Sequence, residues 1–167
     1  MTGNEIWPTP ELDRAPLARG LNNPHRIFVL ESDADIARLD LEILQDSGYQ
    51  VKIAEDGAVA WDALQINTYD LFIAEHKTIK LSGLDLLKKL HLAKIVLPTI
   101  LVAAVPLQSE IKRCPWLPIE AVLLKPYTAD ELLATVRNVL FAIEHIGAQL
   151  TQSPYWQTPP LTNRLRA

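Results

Sequence analysis

Apolar positions in this chain come in two alternating kinds of run. Arg26-Ile27-Phe28-Val29-Leu30, Val51-Lys52-Ile53-Ala54, Tyr69-Asp70-Leu71-Phe72-Ile73-Ala74, Pro98-Thr99-Ile100-Leu101-Val102-Ala103-Ala104 and Ala121-Val122-Leu123-Leu124 are short and nearly unbroken. Such runs, bounded by turn signals, read as strands, the third of them buried on both faces. Between them apolar residues recur at helical spacing: Ile36, Ala37, Leu41 and Leu44; Ala60, Trp61 and Leu64; Leu84, Leu87 and Leu90; and Leu132, Leu133, Val136, Val139, Leu140 and Ile143. Ser32 or Asp33 can cap the first helix and Gly48 ends it. Asp56-Gly57 turns into the second, the third spans about Gly83 to Leu92, and Thr128 with Glu131 is a capping-box signature for the last. Pro115 and Pro118 restrict the fourth to the neighbourhood of Leu107 to Arg113, since proline inside a helix costs about 3 kcal/mol. Five strand–helix alternations predict an α/β fold, a parallel sheet with helices on both faces joined by right-handed crossovers.

The pattern also sets boundaries. Residues 1–24, with four prolines among polar residues and no sustained period, read as a flexible leader; residues 25–146 form the domain; residues 147–167 read as a disordered tail. Trp7 in the leader and Tyr155-Trp156 in the tail are isolated aromatics without a supporting pattern. A length of 167 residues suits one domain with a real core. The formal charge of −4 gives no case for nucleic-acid binding, which needs clustered Lys and Arg. Cys114 is the single cysteine, read as a small, partly buried residue, so neither a disulfide framework nor a cysteine metal site is available. No basic-then-apolar signal segment opens the chain and no apolar stretch approaches the roughly 18 residues of a membrane span, so a cytoplasmic protein without membrane partners is expected.

Chemistry collects at the predicted strand ends. In a parallel sheet the carboxyl ends of the strands share one edge, where open α/β sheets keep their ligands. That edge should carry Glu31, Ser32 and Asp33 after the first strand, Glu75 after the third, Ala103 on the fourth and Lys125 after the fifth. Three acids and a lysine converging on one pocket are more than a set of solvated rim residues.

The order of elements, the acids after the first and third strands and Lys125-Pro126 after the fifth resemble the receiver domain of bacterial response regulators. Gly48-Tyr49-Gln50-Val51, Glu55-Asp56-Gly57, Tyr69-Asp70-Leu71, Ser82-Gly83-Leu84 and Leu124-Lys125-Pro126-Tyr127 extend the likeness over roughly Pro24 to Ile143. The resemblance implies a flavodoxin-like (βα)5, doubly wound five-stranded sheet. It further implies a histidine kinase that passes a phosphoryl group to an aspartate ending the third strand. Mg²⁺ is held there by that aspartate and an acid pair, a Thr or Ser on the fourth strand and the lysine of the fifth bind phosphoryl oxygens, and an aromatic of the fifth strand swings as the readout.

This chain departs from that set. The phosphoacceptor position falls on Glu75, the acid pair on Glu31-Ser32, the hydroxyl position on Ala103, the aromatic switch position on Val122, and the proline four residues past the acceptor on Ile79; Lys125 and Pro126 remain. Glutamate carries its carboxylate about 1.5 Å further out, and in-line phosphoryl transfer depends on positioning and charge neutralisation. The expectation is a stand-alone, degenerate receiver that is not an enzyme, works through protein contacts, and pairs Glu75 with Lys125 in partial imitation of a phosphorylated acceptor. No catalytic residue and no cofactor are expected. The alternative is a working receiver of unusual geometry, with Glu31, Asp33 and Glu75 holding Mg²⁺. A remote third reading, a small flavodoxin-like enzyme or nucleotide binder, needs a phosphate loop where this chain has Glu31-Ser32-Asp33-Ala34-Asp35. Partners would be proteins, a histidine kinase or a separate output protein, with a homodimer also open. In the family the face of the fourth helix, fifth strand and fifth helix is the usual output and dimerisation surface; here Trp116 and Leu117, on a proline-bounded loop, are the candidate contact residues.

Overall fold

The computed structural model describes residues 23–78 and 80–151, the side chains of 147–151 excepted. Ile79, Trp7, Tyr155-Trp156 and most of the expected leader and tail lie outside the described residues. Ten elements alternate: β1 (Arg26–Leu30), α1 (Ala34–Asp46), β2 (Gln50–Ala54), α2 (Gly57–Ile66), β3 (Leu71–Glu75), α3 (Gly83–Leu92), β4 (Thr99–Ala103), α4 (Gln108–Lys112), β5 (Ile119–Leu124) and α5 (Ala129–Thr151). All strand pairs are parallel, in the order β2-β1-β3-β4-β5. This is the doubly wound, flavodoxin-like arrangement.

The central strands are buried on both faces, which is why their sequences read as unbroken apolar runs. Alternate residues feed two cores. Phe28, Leu30, Phe72, Ala74, Leu101 and Ala103 point to the side of α2, α3 and α4; Ile27, Val29, Leu71, Ile73, Ile100 and Val102 point to α1 and α5. Phe28 lies edge-on to Tyr69, with ring centroids 5.0 Å apart, and Tyr69 packs partly buried against the first core.

Local chemistry fixes the helix ends. The Asp33 carboxylate accepts from the Asp35 and Ile36 amides, so it is this residue, and not Ser32, that caps α1. At the other end of α1, Gly48 adopts φ +89°, and the Gly48 and Tyr49 amides donate to the Gln45 and Leu44 carbonyls. Asp56 caps α2 and Ser82 caps α3. Before α5, the Thr128 amide donates to Glu131 Oε2 at 2.7 Å while the Glu131 amide donates to Thr128 Oγ1 at 3.2 Å, the reciprocal capping box. α4 spans five residues, as its flanking prolines require, and α5 continues to Thr151.

One buried polar pair has no counterpart in the apolar pattern. Asp40 sits on the core side of α1, 2% exposed, and accepts a 2.8 Å hydrogen bond from the Tyr127 hydroxyl. Burial raises the Asp40 carboxyl above its usual range, partly offset by that hydrogen bond, and burial together with the Asp40 charge pushes the Tyr127 phenol well up. Tyr127→Phe leaves a buried carboxylate without its donor. The expected loss is about 1–3 kcal/mol at neutral pH, read by urea denaturation. The loss shrinks on acidification, because a carboxyl whose folded pKa is raised takes up its proton earlier in the folded state.

Candidate functional site

Three strand ends build the site. Glu31 follows β1 directly, Glu75 is the last residue of β3, and Lys125 follows β5; β1 and β3 are neighbours, and β4 separates β3 from β5. The Lys125 amide donates to the Ala103 carbonyl at 2.8 Å, tying it to the end of β4, and its side chain stretches across that end to the two acids. Ala103 is 3% exposed and offers only a methyl group at this point.

The side chains form a closed cluster. Lys125 Nζ lies 2.7 Å from Glu31 Oε2 and 2.8 Å from Glu75 Oε1. Glu75 Oε2 accepts from the Ser32 hydroxyl at 2.6 Å and from the Ser32 amide at 3.0 Å. Glu31 Oε1 accepts from the Asp33 amide at 3.0 Å. Each of the four carboxylate oxygens therefore has a donor.

Electrostatics follow from burial. Glu31 is 2% exposed, and burial raises its carboxyl above the ordinary range despite the hydrogen bonds from Lys125 and the Asp33 amide; the Glu75 charge adds to the rise. For Glu75, burial pushes upward too, but hydrogen bonds from Lys125 and from the Ser32 hydroxyl and amide outweigh it, and its carboxyl is held below the usual range. Burial opposes the Lys125 charge, yet the two carboxylates overcome it and hold its pKa above the usual lysine value. Two carboxylates and one ammonium leave a net charge of −1 on the cluster.

Of the sequence-predicted residues, Glu31, Ser32, Glu75 and Lys125 converge. Asp33 does not join them: its carboxylate is exposed and engaged in capping α1. Among the described residues no three His, Cys, Asp or Glu side chains gather to hold a metal ion. The set Glu31, Asp33 and Glu75 does not fit Mg²⁺, which needs free oxygen ligands in near-octahedral array; the two glutamates already have their oxygens hydrogen-bonded, and the position between them belongs to the Lys125 ammonium.

The candidate contact residues separate as well. Trp116 is 56% exposed, but Leu117 is 7% exposed and belongs to the core beneath α3 and α4, so Leu117 is not a surface residue. Val122, at the switch-equivalent position, is 39% exposed on β5 next to Leu124 at 44%. Shallow clefts lie on both sides of it, one lined by Pro106, Leu107 and Ile111, the other by Thr135, Asn138 and Ala142. His76 was not singled out by sequence. Following Glu75, it sets Nε2 3.5 Å from Glu110 on α4 while its Nδ1 is buried without a hydrogen-bond partner among the described residues.

Fold and site together define an open α/β domain with an acid–lysine cluster at the carboxyl edge of strands 1, 3 and 5. The sequence model of the response regulator receiver domain matches residues 27–137, so the chain belongs to that family, the receiving module of two-component signalling. It is similar to the transcriptional regulatory protein DltR of Streptococcus agalactiae, 32% identical over 67% of this chain and 50% of DltR. It is also similar to the transcriptional regulatory protein RprY of Bacteroides fragilis, 27% identical over 69% of this chain and 49% of RprY. The chain spans about half the length of these curated relatives. Among solved structures it resembles the receiver domain of Francisella response regulator 1452, with TM-score 0.66 and 26% identity over 72% of this chain and 99% of that one. It likewise resembles the response regulator TrrA of Thermotoga maritima in complex with Mg²⁺-BeF, with TM-score 0.59 and 27% identity over 69% of this chain and 98% of that one. Among the described residues no helix is long and apolar enough to cross a membrane.

Proposed function

We propose that this chain is a degenerate receiver: a cytoplasmic, non-enzymatic signalling module that works through protein contacts without accepting a phosphoryl group or needing Mg²⁺. The observation that carries the reading is the Lys125 ammonium closed on both Glu31 and Glu75 at 2.7 and 2.8 Å. In the family the lysine engages the phosphoryl group once it has been transferred; here it engages a fixed carboxylate. Glu75 thus imitates in part the phosphorylated acceptor, although a phosphoryl group brings about −1.5 to −2 charge and three acceptor oxygens where a carboxylate brings −1 and two.

Two further features support the reading. Ala103 has no hydroxyl to draw toward a phosphoryl oxygen, and Val122 has no ring to swing, so the usual relay from pocket to output face lacks both moving parts. The face on which such a relay would report is present: Val122 and Leu124 lie exposed on β5 between α4 and α5. A histidine kinase or a separate output protein is the class of partner this implies.

The test is incubation with Mg²⁺ and acetyl phosphate followed by intact-mass analysis, with beryllofluoride titration in parallel, watched by tryptophan fluorescence. The expected outcome is an unchanged mass and no saturable fluorescence change. A phosphoryl adduct mapped to Glu75 overturns the reading and makes the chain a working receiver of unusual geometry.

A further inference from the structure

Charge is segregated along this fold. Residues 31–70, which supply α1, β2 and α2, hold ten carboxylates against two cations, whereas residues 76–118, which supply α3, β4 and α4, hold seven cations against two carboxylates. The chain's net charge of −4 hides this division. Both carboxylates of the basic half are occupied, Asp85 by Lys88 and Ser82, and Glu110 by His76. Lys94, Lys112 and Arg113 are exposed, and no carboxylate among the described residues lies within ion-pair distance of them.

These cations share one end of one face. The buried residues Leu90 and Leu97 of the α3–β4 segment pack in the same core as Leu107, Cys114 and Leu117, and the Thr99 amide donates to the Pro118 carbonyl at 2.8 Å. The exits of α3 and α4 are thereby held side by side at the amino-terminal end of β4. Lys89 is occupied on the other flank of α3, its ammonium 4.1 Å from the centroid of the Trp61 ring of α2. Among the free cations stands Trp116, 56% exposed, three residues from Arg113. Leu92 and Val96 add exposed apolar surface at the α3 exit, 82% and 73%. Tryptophan and arginine are the residue types that most often anchor protein interfaces, and unpaired like charges beside them select the partner's sign.

We infer that the α3–α4 end of the domain, with Trp116 as anchor and Lys94, Lys112 and Arg113 around it, is a docking surface for an acidic segment of a partner protein. A polypeptide segment fits better than nucleic acid. The patch is one short end of the domain with apolar residues interleaved, and the acid-rich α1–α2 half of the same domain would repel a long polyanion extending past it. The inference rests on reading the chain as a contact module but not on the closure of its pocket, since the patch lies at the opposite edge of the sheet.

The test uses the full chain and a fluorescein-labelled Glu/Asp-rich peptide carrying one leucine, measured by anisotropy, with a duplex DNA of matched charge as competitor. Saturable peptide binding is expected, weakening as salt rises from about 50 to about 200 mM. Affinity is expected to fall at least tenfold in the double variant Lys112→Glu/Arg113→Glu and again in Trp116→Ala, with unchanged circular dichroism, while Arg38→Glu on α1 leaves it as it was. Absence of peptide binding, equal binding by the charge-reversed variant, or displacement by DNA in preference to peptide overturns the inference. Any of these leaves the acetyl phosphate result as it stands, so the two readings fail separately.

Discussion

Lys125→Ala is expected to destabilise the domain by about 3–5 kcal/mol at neutral pH, the range found when one partner of a buried ion pair is removed. The size follows from the cluster's seclusion: Lys125 is 19% exposed, Glu75 13% and Glu31 2%. Without the ammonium two carboxylates share a site closed by Ser32 and the Asp33 amide, with no cation to offset their repulsion. Against a typical domain stability of about 5–15 kcal/mol this loss leaves a marginal fold. The pH dependence separates this cause from lost packing. In the wild type, Glu75 is held below its ordinary value, so its contribution is present at neutral pH and fades as pH falls through its folded value. In Lys125→Ala both carboxyls lose the hydrogen bond and charge that lower their folded values, so those values rise and acidification costs the variant less than the wild type. The deficit of the variant should therefore narrow between about pH 7 and about pH 5, as seen in urea midpoints. A deficit that stays constant over that interval would assign the loss to packing.

Gly83→Ala should cost about 3 kcal/mol, the upper end for overpacking, because the obstruction is backbone and cannot turn aside. A Cβ at Gly83 would stand well inside contact distance of the Glu75 carbonyl oxygen and 3.0 Å from its carbonyl carbon. The gain in helix propensity, about 0.5–1 kcal/mol, is too small to reverse the sign. Gly83 lies at the first position of α3, capped by Ser82, so α3 begins pressed against the last residue of β3. Relief of the clash must move either the helix or Glu75 itself. Combined with Lys125→Ala, the variant should show non-additive losses, because both changes act on the placement of one carboxylate. Additive urea midpoints would show that α3 alone moves.

Much of this architecture was legible in the sequence because central parallel strands carry a strong signal. β1, β3 and β4 are buried on both faces, and their apolar runs mark them without ambiguity. The convergence of Glu31, Ser32, Glu75 and Lys125 was legible for a topological reason: strand ends in a parallel sheet meet at one edge whatever the loops do. What escaped was decided by side-chain direction. Asp33 carries two valid signals, pocket acid and helix cap, and only the fold chooses the cap. Trp116 and Leu117 are adjacent and both apolar, and nothing in their spacing tells which turns inward. Asp40 is not marked by any local spacing, because its partner Tyr127 lies 87 residues away. His76 follows the acceptor position with no pattern to mark its reach to α4.

A cluster of acids at one sheet edge ordinarily has to recruit a cation from solution before it can rest in one conformation. Here the cation is covalently part of the chain, delivered by β5 and fixed by the same backbone that fixes the acids. Its effective concentration does not depend on the surroundings. The folded state should therefore be indifferent to chelators and to swings in magnesium level, and this edge of the sheet should present one unvarying shape.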